Sequence, residues 1–264
     1  SELTDNLADR LLIQDAFNLN TLSGLIKFIR KVILGTFIVE GTGALLYMIV
    51  FIPEFGLKGI WISVFTSVSA FCNAGIDILA ENSLCNYACN PIVNIVTIML
   101  IIVSGIGYIV WWDIIRVFQL KSKRKFSRLT LHSKIAIITT LILIFAGAVL
   151  IFIFEFNNPL TIRNFSLFDK IQASFFQSVT TRTAGFATIP QENLTIPSTL
   201  ICLVLMFIGG SPVGTAGGIK TITIVSLVAI AIASIKNKKE VHFSKLTVVC
   251  TSQCEQRLIR EVQI

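Results

Sequence analysis

Charged residues are scarce in this sequence of 264 residues. Asp, Glu, Lys and Arg make up 14% of it, whereas soluble globular chains carry about 25%. Hydrophobic residues account for 54%, and the mean hydropathy is +0.80. So few charges cannot coat a soluble protein of this size. The composition argues against a large soluble protein with an apolar core and favours a polytopic membrane protein, with the lipid bilayer as its first partner.

The sequence also has little that would serve catalysis or metal binding. It contains two histidines, His132 and His242, and both fall in predicted cytoplasmic segments without a Ser–His constellation. The six cysteines match no zinc spacing. Cys85 and Cys89 lie in a short polar segment and fit either a disulfide or, as we favour, two free thiols. We therefore predict that the chain is not an enzyme, carries no cofactor, and has no catalytic or structural metal site.

A cleavable signal peptide is missing from the start of the sequence. Residues 1–20 are polar and contain four acidic residues, unlike a basic n-region followed by a short apolar run. We expect residues 1–30 to form a cytoplasmic leading segment.

The net charge of +7 suggests nucleic acid as a partner, but the positions of the basic residues do not support one. Three clusters hold fourteen Lys and Arg residues, while the segments at the other ends of the apolar runs hold three. The clusters are segments 21–31, 113–134 and 236–245. The positive-inside rule places these clusters in the cytoplasm of a multi-pass protein of the cell membrane, and we predict no nucleic-acid binding.

Three apolar runs, 32–52, 91–118 and 135–156, are long enough to cross about 30 Å of hydrocarbon as helices. A fourth run, 196–235, is about twice the length of a span and is broken in the middle. Glu40, inside the first run, fits either a functional carboxylate facing a bundle interior or a residue that reaches polar surroundings near the helix end.

Two shorter runs, 59–72 and 168–181, are rich in Ser and Thr and too short to span, as in re-entrant half-helices. A shift of 110 residues places Ala74 on Ala184 and Gly75 on Gly185 within the same order of elements. This repeat predicts two units of span, pore helix, turn and span. They cover residues 31–120 and 135–240, with a basic cytoplasmic loop at 121–134 between them and a polar tail at 241–264.

The turn after each half-helix contains an Ala-Gly pair. A turn with glycine can point successive carbonyl oxygens towards one axis, and potassium filters replace the hydration shell with rings of such oxygens. The negative ends of the half-helix dipoles would add to the attraction. We predict cation binding by the backbones of Asn73, Ala74, Gly75, Ile76, Thr183, Ala184, Gly185 and Phe186. A packing feature without ion binding is the alternative for both turns.

The break in the last run is rich in glycine. A P-loop would need glycine where Ile219 stands, and a nucleophile elbow would need glycine where Val213 stands. We expect a loop below the filter that obstructs the path until it moves. The predicted gate residues are Gly209, Gly210, Ser211, Pro212, Gly214, Thr215, Ala216, Gly217, Gly218 and Lys220.

Two basic side chains accompany these elements. Lys220 either repels cations or pairs with a carbonyl or carboxylate. Arg182 directly precedes the second turn. We predict that it supports the filter, with snorkelling to the outer surface as the alternative.

Three motifs resemble the Trk/Ktr/HKT superfamily of potassium transporters, and within it most of all the KtrB membrane subunit. They cover the two turns and the glycine-rich break, and the resemblance extends over roughly residues 7–240. They read Ser69-Ala-Phe-Cys-Asn-Ala-Gly-Ile-Asp77, Phe176-Gln-Ser-Val-Thr-Thr-Arg-Thr-Ala-Gly-Phe186 and Met206-Phe-Ile-Gly-Gly-Ser-Pro-Val-Gly-Thr-Ala-Gly-Gly-Ile-Lys-Thr221.

The resemblance implies potassium transport, with symport among its modes, by an all-α membrane protein of potassium-channel-like span–pore-loop–span repeats. It places this chain on the second and third of four repeats, with Gly75 and Gly185 as two of the four filter glycines. Residues 209–220 then correspond to the intramembrane gating loop. The implied partners are a second copy in a homodimer, or the missing repeats, and a cytoplasmic nucleotide-binding regulatory subunit.

The first and fourth repeats have no counterpart here, and residues from about 241 onward do not resemble the family's next span. Two quarters of a filter do not close a ring, so we expect an incomplete subunit that conducts only when complementary pieces or several copies assemble. The alternatives are a non-conducting membrane assembly module and a transporter of sodium or another monovalent cation with the same fold. A membrane enzyme using the glycine-rich loop is disfavoured by the missing catalytic partners.

Overall fold

The computed structural model describes residues 22–79, 83–120 and 126–235, and the long elements in these ranges are all α-helices. Single 3₁₀ turns occur at Cys85–Tyr87, Phe126–Arg128 and Gln191–Asn193. The all-α fold class is thereby confirmed. The helices are α1 (Leu22–Phe55), α2 (Lys58–Phe71), α3 (Pro91–Ile106), α4 (Tyr108–Gln119), α5 (Leu131–Glu155), α6 (Leu167–Thr180), α7 (Ile196–Phe207) and α8 (Thr221–Ile235).

Two of the described helices are long and apolar enough to cross a membrane, namely α1 from Phe28 and the whole of α5. The bent pair of α3 and α4 counts as a third span if it is taken as one. The apolar helices α7 and α8 are shorter, as expected for the two arms of a broken span.

The two units have equivalent packing. In the first, α1 lies along α2 and against α3; in the second, α5 lies along α6 and against α7. The units join where α3 contacts α6. Large side chains from both units share one buried cluster, including Phe51, Phe71, Leu100, Phe176 and Val179, so α2 and α6, the predicted pore helices, are held in a common core.

A glycine in each first span lets the pore helix approach closely. The Ser67 hydroxyl of α2 donates to the Glu40 carbonyl of α1 at 2.7 Å, and a Cβ on Gly43 would lie 2.5 Å from the Ser67 oxygen. Ser178 and Gly147 repeat this arrangement in the second unit. The Ser178 hydroxyl donates to the Ile144 carbonyl at 2.8 Å, and a Cβ on Gly147 would overlap the Ser178 oxygen. The repeat is therefore preserved in packing as well as in hydropathy.

The same contact bears on Glu40, whose backbone carbonyl holds the pore helix. Its side chain is half-buried. Glu40 thus has a structural role through its main chain, whichever way its carboxylate acts.

The run at 91–118, predicted as one span, does not form one continuous helix, because it breaks at Gly107 and its two arms bend by 95°. Gly107 has φ 93°, a value that residues with a Cβ rarely adopt. A Cβ there would also overlap the carbonyl oxygen of Pro212. Sequence periodicity does not reveal this break, since apolar residues continue on both sides of it and its cause is the distant glycine-rich loop.

Glu155 holds the segments on either side of α6 in place. Glu155, the last residue of α5, is fully buried. One carboxylate oxygen accepts from Thr161 at 2.6 Å and from Asn158 at 2.8 Å, and the other accepts from the backbone and hydroxyl of Thr195. Four donors satisfy the buried charge, so Glu155 fixes the point at which α7 begins.

The two cysteines of the segment between α2 and α3, Cys85 and Cys89, are free thiols, as favoured by the sequence. Burial and the nearby carboxylate of Asp169 raise the pKa of the Cys89 thiol. Burial and the carboxylates of Glu192 and Asp77 raise the pKa of the Cys85 thiol. Neither is therefore a reactive thiolate at neutral pH.

Candidate ion site and gate

The two turns follow the same backbone course. The first follows α2, and Asn73 and Gly75 have φ 51° and 65°. The second follows α6, and Thr183 and Gly185 have φ 70° and 89°. In both turns the first and third residues have left-handed backbone angles, and an alanine lies between them. The first residue carries a Cβ, so its left-handed conformation is energetically unfavourable.

The turns meet at their glycines. A Cβ built on Gly75 would lie 2.6 Å from the Ala184 oxygen and 2.7 Å from the Gly185 Cα. A Cβ on Gly185 would lie 3.1 Å from the Gly75 Cα. The two Ala-Gly pairs, 110 residues apart in sequence, are thus brought side by side by the fold.

A hydroxyl near the end of each pore helix braces the residue after the glycine. Ser69 donates to the Ile76 carbonyl at 2.5 Å and accepts from the Ile76 amide at 3.0 Å. Thr180 donates to the Phe186 carbonyl at 2.6 Å. The oxygens of Ile76 and Phe186 therefore already have a protein donor.

The remaining carbonyls of the turns are unpaired. Within the described residues, the oxygens of six turn residues accept no hydrogen bond. They are oxygens available to a dehydrated cation, and they belong to Asn73, Ala74, Gly75, Thr183, Ala184 and Gly185.

The glycine-rich loop between α7 and α8 is tied by its own hydrogen bonds. The Ile219 amide donates to the Phe207 carbonyl at 3.0 Å, and the Thr221 amide donates to the Gly210 carbonyl at 3.0 Å. The Lys220 ammonium donates to the Ala216 carbonyl at 2.7 Å. Of the two roles considered for Lys220, the structure shows pairing with a carbonyl, which closes the loop on itself.

This loop fills the break between α3 and α4. The Ser211 amide donates to the Gly105 carbonyl at 2.8 Å, and the Thr215 amide donates to the Ser104 carbonyl at 3.4 Å. The Tyr108 amide donates to the carbonyl of Val213 at 3.0 Å. Helix carbonyls and amides freed by a break at membrane depth need partners, and the two interrupted spans supply them to each other.

The loop also contacts both turns. The Asn73 amide group donates to the Thr215 hydroxyl at 2.8 Å, and the Thr215 hydroxyl donates to the Phe71 carbonyl at 3.0 Å. On the other side, the Gly217 amide donates to the Thr183 hydroxyl at 2.8 Å. The predicted gate and the predicted filter turns are therefore in direct contact.

Arg182 links the second turn to the start of the loop. Its side chain is 7% exposed, and its guanidinium donates to the Gly209 carbonyl at 2.8 Å. It forms no ion pair within the described ranges. This placement favours support of the turn over snorkelling, since a buried guanidinium relies on carbonyl oxygens when no carboxylate is near.

Four residues of this site were not singled out from the sequence, namely Ser69, Thr180, Ser104 and Gly107. Ser69 and Thr180 lie in Ser/Thr-rich half-helices, where composition does not show which hydroxyl faces the turn. A glycine inside an apolar run was the one available sign for Gly107. The Ser104 hydroxyl accepts a hydrogen bond from the Asn73 amide group at 3.2 Å, and nothing in the sequence pattern distinguished this residue.

Known proteins that match this chain agree with the family resemblance of the three sequence motifs. The family described as TrkH, cation transport protein, matches residues 14–262. The chain is 38% identical over 216 residues to the potassium/sodium uptake protein NtpJ of Enterococcus hirae, covering 81% of this chain and 46% of that protein. It is 35% identical over 235 residues to the Ktr system potassium uptake protein B of Bacillus subtilis, covering 89% of this chain and 51% of that protein.

A solved structure has the same fold. The potassium transporter TrkH of Vibrio parahaemolyticus superposes with a TM-score of 0.69 at 17% identity, over 92% of this chain and 50% of that one. The chain spans about half the length of the curated relatives that it matches.

Proposed function

The chain belongs to the TrkH cation transport family, and we propose that it supplies two filter turns and the gate of a membrane subunit for potassium uptake. One observation carries the proposal. Two turns from equivalent units meet at Gly75 and Gly185, with unpaired carbonyl oxygens on both. Backbone oxygens held in this way suit a dehydrated monovalent cation, which needs several ligands but no full negative charge.

The proposed ligands are the carbonyls of the first three residues in each turn. Ile76 and Phe186 are proposed to complete the turns by accepting hydrogen bonds from Ser69 and Thr180. The pore helices α2 and α6 end at the turns, so their negative dipole ends favour a cation there.

The proposed gate is the loop of residues 209–220. Its position against both turns and in the break at Gly107 supports this role, since a cation leaving the turns would meet the loop. We further propose that the basic segments face the cytoplasm, because fourteen Lys and Arg residues lie on that side against three on the other. The gate would then separate the turns from the cytoplasm.

Two turns form half of a four-part ring, so the conducting unit is proposed to include further turns. They would come from a second copy of this chain or from polypeptide carrying the other repeats. Three of the matched relatives are named as proteins of a Ktr system. With the family resemblance, this supports a cytoplasmic nucleotide-binding regulatory subunit as a partner, which co-purification with such a subunit would test.

Uptake of radioactive rubidium in cells that lack potassium transport tests the function. The chain is expressed alone and together with a chain that carries the first and fourth repeats of a relative. We expect uptake in at least one arm, and loss of it with Gly185→Ser. Gly41→Ala is the control, because nothing lies within 4 Å of a Cβ at Gly41. Uptake that is unaffected by Gly185→Ser would overturn the filter assignment.

Sodium is the second candidate ion, favoured by the printed name of the Enterococcus hirae relative, a potassium/sodium uptake protein. Competition separates the two ions. If potassium is the substrate, an excess of unlabelled potassium should abolish rubidium uptake, whereas the same concentration of sodium should not. Equal inhibition by both ions would show a less selective cation pathway.

A further inference from the structure

We propose that the glycine-rich loop holds the shape of the filter turns as well as obstructing the path, so that gate movement alters ion preference. The proposal rests on the proposed function, because it assigns a regulatory link within that site. It makes Asn73 and Thr183 positioning residues, each tied to the loop through its side chain.

The two ties involve equivalent residues. Asn73 and Thr183 are 110 residues apart, which is the spacing of the repeat, and each is the left-handed residue before an Ala-Gly pair. Asn73 donates to the Thr215 hydroxyl, and Thr183 accepts from the Gly217 amide, both at 2.8 Å. Two positions of one loop, separated by a single residue, therefore contact the same position of both turns.

Each tie is reinforced by a second bond. The Thr215 hydroxyl donates to the carbonyl of Phe71 at 3.0 Å, so it spans the junction between α2 and the first turn. Arg182, next to Thr183, donates to the carbonyl of Gly209 at 2.8 Å. The loop is thus held to each turn at two points and not by shape alone.

The turns need such support. A left-handed backbone is unfavourable for residues with a Cβ, most of all for a β-branched residue such as Thr183. Such conformations persist when the surroundings over-determine them. Here those surroundings include a loop that must leave for ions to pass, so its departure removes side-chain bonds that help to hold both turns.

Coupling of this kind is reciprocal. If the seated loop favours one geometry of the turns, an ion that favours that geometry also favours the seated loop. An ion that prefers relaxed turns favours the displaced loop. Ion preference and loop position therefore bias each other through Asn73 and Thr183.

Thr215→Val tests the first tie, with Thr215→Ser as the matched control. Valine keeps the shape of the side chain and removes the hydroxyl, while serine keeps the hydroxyl. Hydrogen–deuterium exchange of the full chain is measured at the amides of residues 73–76 and, as a fold control, at α5. We expect about fivefold faster exchange in the turn with valine, the size of effect that one lost hydrogen bond produces. Serine should leave the exchange unchanged, and α5 should not change in either variant.

Thr183→Val tests the second tie from the other side. It removes the acceptor of the Gly217 amide, so exchange at residues 215–218 should rise, while Thr183→Ser should leave it unchanged. This variant keeps the proposal testable if Thr215→Val fails to fold. If exchange at residues 73–76 does not rise in Thr215→Val, the first tie is overturned. If exchange at residues 215–218 does not rise in Thr183→Val, the second tie is overturned.

The ratio of rubidium to sodium uptake tests the functional consequence in whichever assembly conducts. Thr215→Val should lower the ratio by about fivefold, the lower end of ordinary coupling, and Thr215→Ser should not. Faster exchange with an unchanged ratio overturns the link to ion preference. If the unmodified chain takes up no rubidium in any assembly, the proposed function fails, whereas the exchange measurements still decide whether the loop holds the turns.

Discussion

The two turns reach the same backbone conformation through different side chains. In the first, the Ser69 hydroxyl donates to the Ile76 carbonyl and accepts from the Ile76 amide. In the second, Thr180 makes a single bond to Phe186 and stands one residue later in the repeat. The repeated fold therefore preserves which carbonyl accepts the hydrogen bond, while the residue that donates it differs by one position along the pore helix.

The second unit has an additional support that the first lacks. Arg182 occupies the position of Cys72 in the repeat, and its buried guanidinium reaches the Gly209 carbonyl. The first turn relies instead on the Asn73 amide, which donates to both Thr215 and Ser104. Substitutions at these residues should therefore affect the two turns differently.

The largest effect is expected from alanine at the filter glycines. Gly75→Ala adds a Cβ 2.6 Å from the Ala184 oxygen at a φ of 65°, whereas a Cβ on Gly185 meets its nearest atom at 3.1 Å. A left-handed alanine costs about 1–2 kcal/mol, and overpacking adds about 1–3 kcal/mol. Gly75→Ala should therefore lower the rate of rubidium uptake more than Gly185→Ala does.

Purification yield and helix content would separate this loss from misfolding, with Gly41→Ala as the neutral reference. Equal retention of uptake by Gly75→Ala and Gly185→Ala would contradict the close approach of the two turns.

The next effect concerns the contact that both units share. Gly43→Ala and Gly147→Ala push against Ser67 and Ser178 and should each lower the free energy of unfolding by about 1–3 kcal/mol. Thermal unfolding of the purified chain in detergent measures it. Gly41→Ala, two residues from Gly43 in the same helix, should be neutral. A destabilised Gly43→Ala beside an unaffected Gly147→Ala would show that the two units do not pack alike.

Removal of the extra support in the second unit is expected to follow. Arg182→Met keeps much of the buried volume but loses the bond to the Gly209 carbonyl, and bonds from charged donors contribute about 1.5–3 kcal/mol. Because burial of the charge itself is costly, the net loss of unfolding free energy should be smaller, about 1 kcal/mol. Exchange at the Gly209 end of the loop should increase, whereas exchange at residues 73–76 should change less. An increase confined to the first turn would contradict the assignment.

The smallest effect is expected in the difference between the two hydroxyl braces, which amounts to one hydrogen bond. Ser69→Ala removes two hydrogen bonds and Thr180→Val removes one, at about 0.5–1.5 kcal/mol each. Ser69→Ala should therefore destabilise the chain by up to twice as much. Thr180→Ser keeps the hydroxyl and serves as the control. Larger damage from Thr180→Val than from Ser69→Ala would reverse the comparison.

Much of this architecture is local and was therefore predictable. The lengths of apolar runs distinguish spans from half-helices because bilayer thickness sets a minimum length. Repeated Ala-Gly pairs after half-helices mark the turns because left-handed backbone favours glycine. The predicted half-helix at 168–181 and the observed α6 at Leu167–Thr180 differ by a single residue at each end.

The break at Gly107 was not predictable in the same way. Residues 91–118 have the composition of one continuous span, and its two glycines, Gly105 and Gly107, do not by themselves end a helix. The helix ends there because amides of the glycine-rich loop, about a hundred residues later in the chain, compete for its carbonyls.

The membrane class of this protein, its two units, the two glycine turns and the interrupted last span follow from composition and short-range pattern, and they could be predicted from the sequence. Three features appear only in the folded chain: the turns meet at their glycines, the loop contacts both turns through Asn73 and Thr183, and a second apolar run is broken where the loop lies. They could not be predicted because hydrogen bonds between segments far apart in the chain depend on which backbone groups the fold leaves without a local partner.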